Sequence, residues 1–366
     1  MQVQFRYINK YMLLTFGAFL FLSYRYLVQN ASLMISYGGL AVCSILAIFF
    51  LILNRTVNIS DIYPILFFDV VAIIAIIYNH NGNLSEIIVL FSFQIIGMLL
   101  FFRNETYSIV WLFSIGYYLY LFINIVRGID PDTIFYLTSR NYVSVFSLLF
   151  LTLYIFNKVK CGGKIRIWFF LLHIYMCVWA HGRGGILTAA IALVGFIIFG
   201  TDFLKLPRVL KISFLLICVV GIILLYYDLI TAKISAAMVV EGRLGIWSRY
   251  LTSATDNIID FVLGVKNYSL TIDILRMHHL HNSFLNLHYY FGIVPLVMFA
   301  VIGIKMIYFF SKRKKYTLIV ICMTLVVRMF TDVMAFPGEF DILWIYIFLL
   351  YRKYKNNSTL NGEVVK

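Results

Sequence analysis

Residues 32–53 have the sequence SLMISYGGLAVCSILAIFFLIL, 22 consecutive positions without a charged side chain. A helix of roughly 20 apolar residues crosses a hydrocarbon core of about 30 Å, so this stretch predicts a membrane-spanning helix. The composition agrees, because 62% of the chain is hydrophobic, 13% is charged and the mean hydropathy is +0.92. Too few polar side chains remain to cover a globule in water. The sequence therefore predicts a polytopic membrane protein.

Comparable apolar runs recur along the chain and predict about twelve transmembrane helices. The runs show no alternation of period two, which favours α-helices over an outer-membrane β-barrel. We therefore expect an all-α fold with a single transmembrane helical bundle over residues 1–366. The predicted spans are 11–29, 32–53, 62–79, 85–102, 107–125, 141–157, 165–180, 185–201, 210–230, 284–309, 316–334 and the short run 341–351.

The net charge of +14 predicts an orientation in the membrane and not nucleic-acid binding. Lys and Arg concentrate in alternate predicted loops, as the positive-inside rule requires. With a cytoplasmic N-terminus, most of the 30 basic residues fall in cytoplasmic loops or tails. The pattern predicts a multi-pass membrane protein with both termini in the cytoplasm. The lipid bilayer is its first expected partner, and no nucleic acid is expected.

One predicted loop is long enough to contain structure of its own. Residues 231–283 are richer in charged residues, His, Ser and Thr than their flanks, and the topology puts them on the extracytoplasmic face. Within this loop, EGRLGIWSRYLTSATDNIIDFVLG (241–264) predicts one amphipathic helix that begins near Arg243 and stops at Gly264. Its Trp and Tyr residues suit a helix that lies along the membrane surface.

Four of the seven histidines fall within HHLHNSFLNLHYYFG (278–292), where the tenth predicted span begins. Asn282 or Ser283 is a suitable N-cap for that span. Either cap puts His281 at a helix N-terminus, where backbone N–H groups and the helix dipole favour an anion. A phosphate or a developing oxyanion would suit this position.

Simpler explanations exist for each histidine taken alone. His278, His279 and His281 lack the spacing and the cysteine partners of a metal site, so no metal is expected. Capping and packing at the membrane interface would account for any one of them. His288 is a turn or two inside the span and suits a buried hydrogen bond.

Two arginines on the predicted outer face are candidate ligands for phosphate. Arg183 lies in the short turn HGRGG, against the orientation rule, and its flanking glycines let the backbone approach a ligand. Arg243 likewise follows a glycine. Guanidinium groups bind phosphate oxygens bidentately, so the two arginines beside His281 would form a diphosphate site. For Arg249, an interfacial anchor is the simpler interpretation.

Further polar residues lie in or near predicted spans. Arg328 and Asp332 are spaced i, i+4, for which an intrahelical ion pair is the simplest interpretation. The following turn, FPGEFD, carries Glu339 and Asp341 on the same outer side. Asp69, in the middle of the third span, must face protein or water. A purely structural role would explain it.

Three segments together resemble a known family pattern. HGRGGILTA, EGRLGIWSRYLTSATDNIIDFVLGV and HNSFLNLHYYFGIVP are similar to the RGG, GR…W…GvG and HN…G segments of the O-antigen polymerase and ligase superfamily of bacterial envelope glycosyltransferases. Their order, spacing and predicted outer location agree over roughly residues 165–310. Pro295 stands where the ligases tend to have a small or polar residue.

The resemblance implies a glycosyltransferase that needs no metal and no cofactor. Such an O-antigen or capsular polysaccharide polymerase joins repeat units carried on undecaprenyl diphosphate, on the periplasmic face of the inner membrane. By the same resemblance, Arg183 and Arg243 hold the diphosphate and His281 is catalytic. The supporting residues would be Asn282, His278, Arg249, Arg328 and Glu339. A chain-length regulator and a flippase are the expected protein partners.

The resemblance leaves the proton acceptor and the final acceptor of the glycan open. Either His281 takes the proton of the acceptor hydroxyl, or it orients the donor while Glu241, Asp260, Glu339 or a further group takes that proton. A ligase or oligosaccharyltransferase, which moves the glycan to lipid A core or to protein, would share the donor-binding residues. A flippase or transporter is the contrasting class and would show paired, broken helices in two similar halves.

Overall fold

The computed structural model of the chain describes residues 9–57, 59–81, 84–136, 139–200, 243–268 and 280–360. These residues form helices joined by short turns, and no strand occurs among them. The predicted all-α class is confirmed for this part of the chain. The α-helices are α1 (Lys10–Leu27), α2 (Leu33–Leu53), α3 (Ile59–Asn79), α4 (Leu84–Phe102), α5 (Tyr107–Val126), α6 (Asn141–Lys160), α7 (Trp168–Trp179), α8 (Arg183–Gly200), α9 (Arg243–Thr255), α10 (Ile258–Leu263), α11 (Ser283–Phe291), α12 (Ile293–Lys312), α13 (Tyr316–Thr331) and α14 (Asp341–Leu360).

Six helical segments of the described residues are long and apolar enough to cross a membrane, by length and composition. They are Leu33–Leu53, Ile62–Asn79, Ser85–Phe102, Asn104–Val126, Asn141–Lys160 and Ile293–Lys312. Trp168–Trp179, Arg183–Phe199 and Tyr316–Thr331 are shorter apolar helices. These helices support the prediction of a membrane protein, whereas the count of twelve spans and the orientation of the termini stay predictions. The predicted ninth span, 210–230, lies outside the described residues.

The described residues divide into two compact units. The first unit comprises those within Met1–Asp69, Leu84–Gly163 and Pro337–Lys366, and the second those within Val70–Asn83 and Lys164–Phe336. The single bundle expected over residues 1–366 stays a prediction, as does the 231–283 loop, which is described at 243–268 and 280–283.

The first unit is built around α6, which is buried at every position from Val143 to Phe156. A helix that is apolar all round needs neighbours on every side. Two other helices of this unit, α4 and α14, approach closely at Gly97, where a Cβ atom would lie 2.7 Å from the carbonyl oxygen of Ile342. Asp69 is buried and accepts a 2.9 Å hydrogen bond from the Gln94 amide, so it faces protein as predicted.

The second unit contains a layer formed by α7, α8 and α13. The rings of Phe170 and Phe196 stack between α7 and α8 with centroids 4.3 Å apart. Helices α8 and α13 meet at Gly195, where a Cβ atom would lie 2.4 Å from Cγ1 of Val320. Small residues allow such close helix approaches in membrane proteins.

The tenth predicted span, 284–309, is not one helix. It is divided at Gly292, which has a φ of +78°, into the short α11 and the longer α12. A Cβ atom on Gly292 would lie 2.2 Å from the carbonyl oxygen of Val262, so α10 packs directly against the break. The prediction of one continuous helix over 284–309 was wrong, because hydropathy continues across Gly292 and does not reveal the break. Ile293–Lys312 alone is long and apolar enough to cross a membrane.

The predicted amphipathic helix is also divided. Helix α9 ends at Thr255, and α10 begins after Asn257, whose side chain caps α10 by accepting the N–H of Ile259. Asn favours an N-cap over a helix interior, so it starts a new helix here. Gly264 ends α10 with a φ of +88°, which confirms the predicted stop.

Candidate functional site

The HN segment forms a capped helix start in the second unit. Asn282 accepts hydrogen bonds from the backbone N–H groups of Phe284 at 2.9 Å and Leu285 at 3.2 Å. The predicted N-cap is thereby confirmed at Asn282. His281 precedes the cap with a φ of +51° and is half-buried. The histidine therefore stands at the N-terminus of α11, as predicted.

A carboxylate lies beside this histidine. Nδ1 of His281 is 3.8 Å from Oδ1 of Asp332, and Oδ2 of Asp332 is 3.9 Å from Nη2 of Arg328. These are ion-pair separations and are too long for direct hydrogen bonds. Asp332 therefore lies between a fully buried guanidinium and an imidazole.

The ion pair between Arg328 and Asp332 is confirmed, but it is not a simple intrahelical one. Asp332 follows the last residue of α13 and has an extended backbone, with φ −162° and ψ 172°. Its carboxylate therefore lies beyond the end of α13 and comes near His281, just before α11. The i, i+4 spacing alone gave no indication of that second contact.

Helix α11 is fixed to the segment that follows α13 by buried hydrogen bonds. The hydroxyl of Ser283 donates to the backbone oxygen of Asp332 at 2.9 Å and accepts the N–H of Met334 at 2.8 Å. The amide of Asn286 donates to the carbonyl oxygen of Phe336 at 3.3 Å. These bonds hold the start of α11 against the segment that begins at Asp332.

The HGRGG segment reaches the same region of the second unit. Helix α8 begins at Arg183, whose side chain is exposed. A Cβ atom on Gly184 would lie 2.9 Å from Oγ1 of Thr331 and 3.0 Å from Nη1 of Arg328. The N-terminus of α8 therefore packs on the last turn of α13, one residue away from Arg183. Two of the three predicted segments thus meet around Arg328 and Asp332.

The GRLGIW segment is attached to the residue before His281. Arg243 begins α9, and its side chain lies outside the described residues. One turn further along, the indole N–H of Trp247 donates to the carbonyl oxygen of Leu280 at 2.6 Å. The start of α9 is therefore held next to the turn that carries His281. Arg249, further along α9, is exposed.

His288 has the structural role that the sequence suggested. Its Nε2 lies 2.8 Å from the carbonyl oxygen of Phe261, and its Nδ1 lies 2.6 Å from the hydroxyl of Tyr250. A carbonyl oxygen can only accept, so Nε2 carries the proton and the Tyr250 hydroxyl donates to Nδ1. Both side chains are buried. The prediction of a buried hydrogen-bonding histidine is confirmed, and the pair joins α9, α10 and α11.

Other candidate residues are not brought together by the described contacts. His278 and Glu241 lie outside the described residues. Asp260 accepts a 3.1 Å hydrogen bond from the hydroxyl of Tyr78. Glu339 belongs to the first unit, where it is buried and accepts a hydrogen bond from the Tyr26 hydroxyl.

Burial raises the pKa of Glu339 above its ordinary value, and the Tyr26 hydrogen bond and the charge of Arg25 oppose that rise without cancelling it. Glu339 was expected beside Arg328 and Asp332 because a short turn connects them in sequence. Its described partner is instead Tyr26, and a supporting role in the site stays a prediction.

The contact of Asp332 with His281 was missed in the sequence. The 49 residues that separate Asp332 from Ser283 leave no periodic pattern linking the two segments. A buried carboxylate at a helix end is itself a signal, because charges inside a membrane protein need partners.

No known protein family, curated protein or solved structure matches this chain.

Proposed function

We propose that this protein is a bacterial O-antigen or capsular polysaccharide polymerase, an integral inner-membrane glycosyltransferase. Its donor is a growing glycan on undecaprenyl diphosphate, and its acceptor is the non-reducing end of a further lipid-linked repeat unit. Both termini lie in the cytoplasm, and the site opens on the extracytoplasmic face.

One observation carries this proposal, namely the meeting of three distant segments in the second unit. Gly184 packs on Arg328, the carboxylate of Asp332 lies 3.8 Å from His281, and Trp247 bonds to Leu280. Arg183, Arg243 and His281 are the residues that the family resemblance assigns to donor binding and catalysis. Their segments adjoin, as a shared site requires.

The residues can supply each part of the reaction. The acceptor hydroxyl oxygen attacks the anomeric carbon, the bond from that carbon to the diphosphate oxygen breaks, and undecaprenyl diphosphate leaves. Arg183 and Arg243 neutralise the charge that develops on the leaving group. His281 receives the hydroxyl proton, and Asp332 stabilises the imidazolium that forms. A general base of this kind contributes about 10²–10⁴-fold in rate.

The experiment is an elongation assay with purified protein and a lipid-linked repeat unit as the only substrate. The wild-type protein should produce a ladder of longer lipid-linked glycans. Arg183→Ala, Arg243→Ala and His281→Ala should each leave only single repeats. Arg55→Ala and His80→Ala are matched controls, because both side chains are exposed and neither lies in the three segments.

Two results would contradict the proposal. Ladders of wild-type length in all three variants would remove Arg183, Arg243 and His281 from the site. A wild-type protein that leaves the repeat unchanged until a lipid A core or protein acceptor is added would be a ligase or oligosaccharyltransferase. A protein that moves the lipid-linked glycan across the membrane of vesicles without forming a glycosidic bond would be a flippase.

A further inference from the structure

A cavity of about 420 Å³ lies within the first unit, away from the three segments of the proposed site. Helices α1, α5 and α6 line it together with Phe135 from the turn before α6. Its walls are aromatic and aliphatic side chains, with Ser23 as the one hydroxyl residue besides three tyrosines. The half-exposed Leu20 and Leu112 are among its lining residues.

The tyrosine hydroxyls that border this cavity are directed to protein acceptors. Tyr117 donates to the carbonyl oxygen of Val143 at 2.5 Å, Tyr120 donates to that of Ile134 at 3.0 Å, and Tyr26 donates to Glu339. The apolar faces of the three tyrosine rings therefore form part of the cavity wall. An ordered water needs two to four polar partners, so these walls do not suit water.

An apolar occupant suits the cavity better. An apolar cavity of about 150 Å³ in another protein stays dry and takes up benzene, and this one is larger. The lining runs along α1 from Phe16 to Leu27, about 16 Å at the helical rise of 1.5 Å per residue. That length is close to one leaflet, about half of the 30 Å hydrocarbon core. A single hydrocarbon chain of one leaflet matches both the chemistry and the length.

A cation marks the loop end of the cavity. Phe113 and Tyr120 line the cavity from α5, and Arg127 follows at the same seven-residue interval just after the helix. Positions seven apart share a helix face, so Arg127 continues the stripe that borders the cavity. Its side chain is exposed. A positive charge beside an apolar cavity complements an amphiphile with an anionic headgroup.

We propose that this cavity, called the groove from here on, binds one acyl chain of an anionic phospholipid, whose phosphate is bound by Arg127. The binding site is separate from the glycan-transfer chemistry and does not rest on it. The bilayer supplies both the chain and the headgroup, so the site is filled whenever the protein is in its membrane.

The test uses the full-length protein in vesicles of phosphatidylethanolamine and phosphatidylglycerol. The phosphatidylglycerol carries a photoactivatable diazirine in one acyl chain, and labelled peptides are identified by mass spectrometry. Label should appear on α1, α5 and α6 residues that line the groove. Gly116→Phe should reduce that labelling roughly tenfold, the effect of excluding about two methylenes from an apolar site.

A matched control is available because two glycines inside helices of this unit, one in α2 and one in α5, have the same open surroundings. A Cβ atom on either Gly116 or Gly38 would meet no atom within 4 Å, but only Gly116 lines the groove. Gly38→Phe should therefore keep wild-type labelling. Leu112→Trp, at another half-exposed lining position, tests the same point if Gly116→Phe fails to fold.

Arg127→Gln should remove the preference for labelled phosphatidylglycerol over labelled phosphatidylcholine. Equal labelling of the wild type and both groove variants would overturn the proposal. Equal labelling of the wild type by the two phospholipids would overturn the role of Arg127. Labelling of the groove by a photoactivatable polyprenyl phosphate, with none by phosphatidylglycerol, would also overturn it, because the occupant would then be an isoprenoid.

Discussion

His281, which precedes α11, and Asp332, which follows α13, lie next to each other in the second unit, with Nδ1 of the imidazole 3.8 Å from Oδ1 of the carboxylate. The other carboxylate oxygen of Asp332 lies 3.9 Å from Arg328. Truncating one member of such a buried charged group leaves its partner uncompensated. We therefore expect the position of His281 to depend on Asp332.

Asp332→Asn keeps the shape of the side chain and removes its charge. Elongation of the lipid-linked glycan should slow by about 10²-fold, the lower end of what a general base contributes, because the imidazolium loses its counter-ion. Asp256→Asn, at an exposed aspartate of the same unit, is the control and should elongate normally. If the Asp332→Asn protein elongates the glycan at the wild-type rate, the carboxylate of Asp332 has no role in the reaction.

Gly184→Ala should disturb the contact between α8 and α13. The added methyl group would lie 2.9 Å from Thr331 and 3.0 Å from Arg328, so those side chains must shift and Arg183 moves with the helix start. We expect lower thermal stability in detergent and weaker donor binding, seen as a higher KM for the lipid-linked donor. Gly303→Ala, where a Cβ atom meets nothing within 4 Å, should not lower stability. Equal thermal stability and equal KM of the two variants would contradict the contact between α8 and α13.

Two glycines with similar positive φ values differ in the space around them, so the free-energy cost of the backbone conformation can be compared with that of packing. Gly128 has a φ of +67° and open space around a Cβ atom, whereas Gly292 has a φ of +78° and the carbonyl oxygen of Val262 at 2.2 Å. Gly128→Ala should cost about 1–2 kcal/mol of unfolding free energy. Gly292→Ala adds a clash and should cost about 2–5 kcal/mol. Unfolding titrations in mixed micelles measure both, and equal losses would mean that α10 does not pack on the break.

Glu339→Gln should change how stability depends on pH. Burial raises the pKa of Glu339 in the folded protein, so its contribution to stability is present below the ordinary glutamate pKa of about 4.3. That contribution is lost as the pH rises through the raised value. Glutamine cannot ionise and keeps an acceptor for the Tyr26 hydroxyl. The variant should therefore gain stability relative to the wild type as the pH rises, measured by thermal unfolding, and parallel curves would contradict this.

Helices and their ends were the most predictable part of the fold. Hydropathy located the long apolar helices, and local chemistry located the cap at Asn282 and the stop at Gly264, because caps depend on residues a few positions apart. The breaks at Gly292 and before Asn257 were missed. At Gly292, the deciding interaction is with α10, far away in the sequence.

The site was predictable as a set of segments and not as a set of contacts. Resemblance and glycine placement selected the HGRGG, GRLGIW and HN segments, whose adjacency the described residues support. Asp332 and its contact with His281 could not be found locally, since the i, i+4 spacing to Arg328 already gave it a complete explanation. The partner of Glu339 was likewise beyond reach, because Tyr26 lies 313 residues away.

Cysteine cross-linking measures whether Arg183, Arg243 and His281 share one site. In a background without Cys43, Cys161, Cys177, Cys218 and Cys322, paired cysteines at 183 and 281 and at 243 and 281 should be joined by a short bifunctional maleimide. Added undecaprenyl diphosphate should slow both reactions. A pair at 281 and 312, the far end of the twenty-residue α12, should stay unlinked. Failure of both test pairs to cross-link, with both thiols reactive to a monofunctional maleimide, would contradict the shared site.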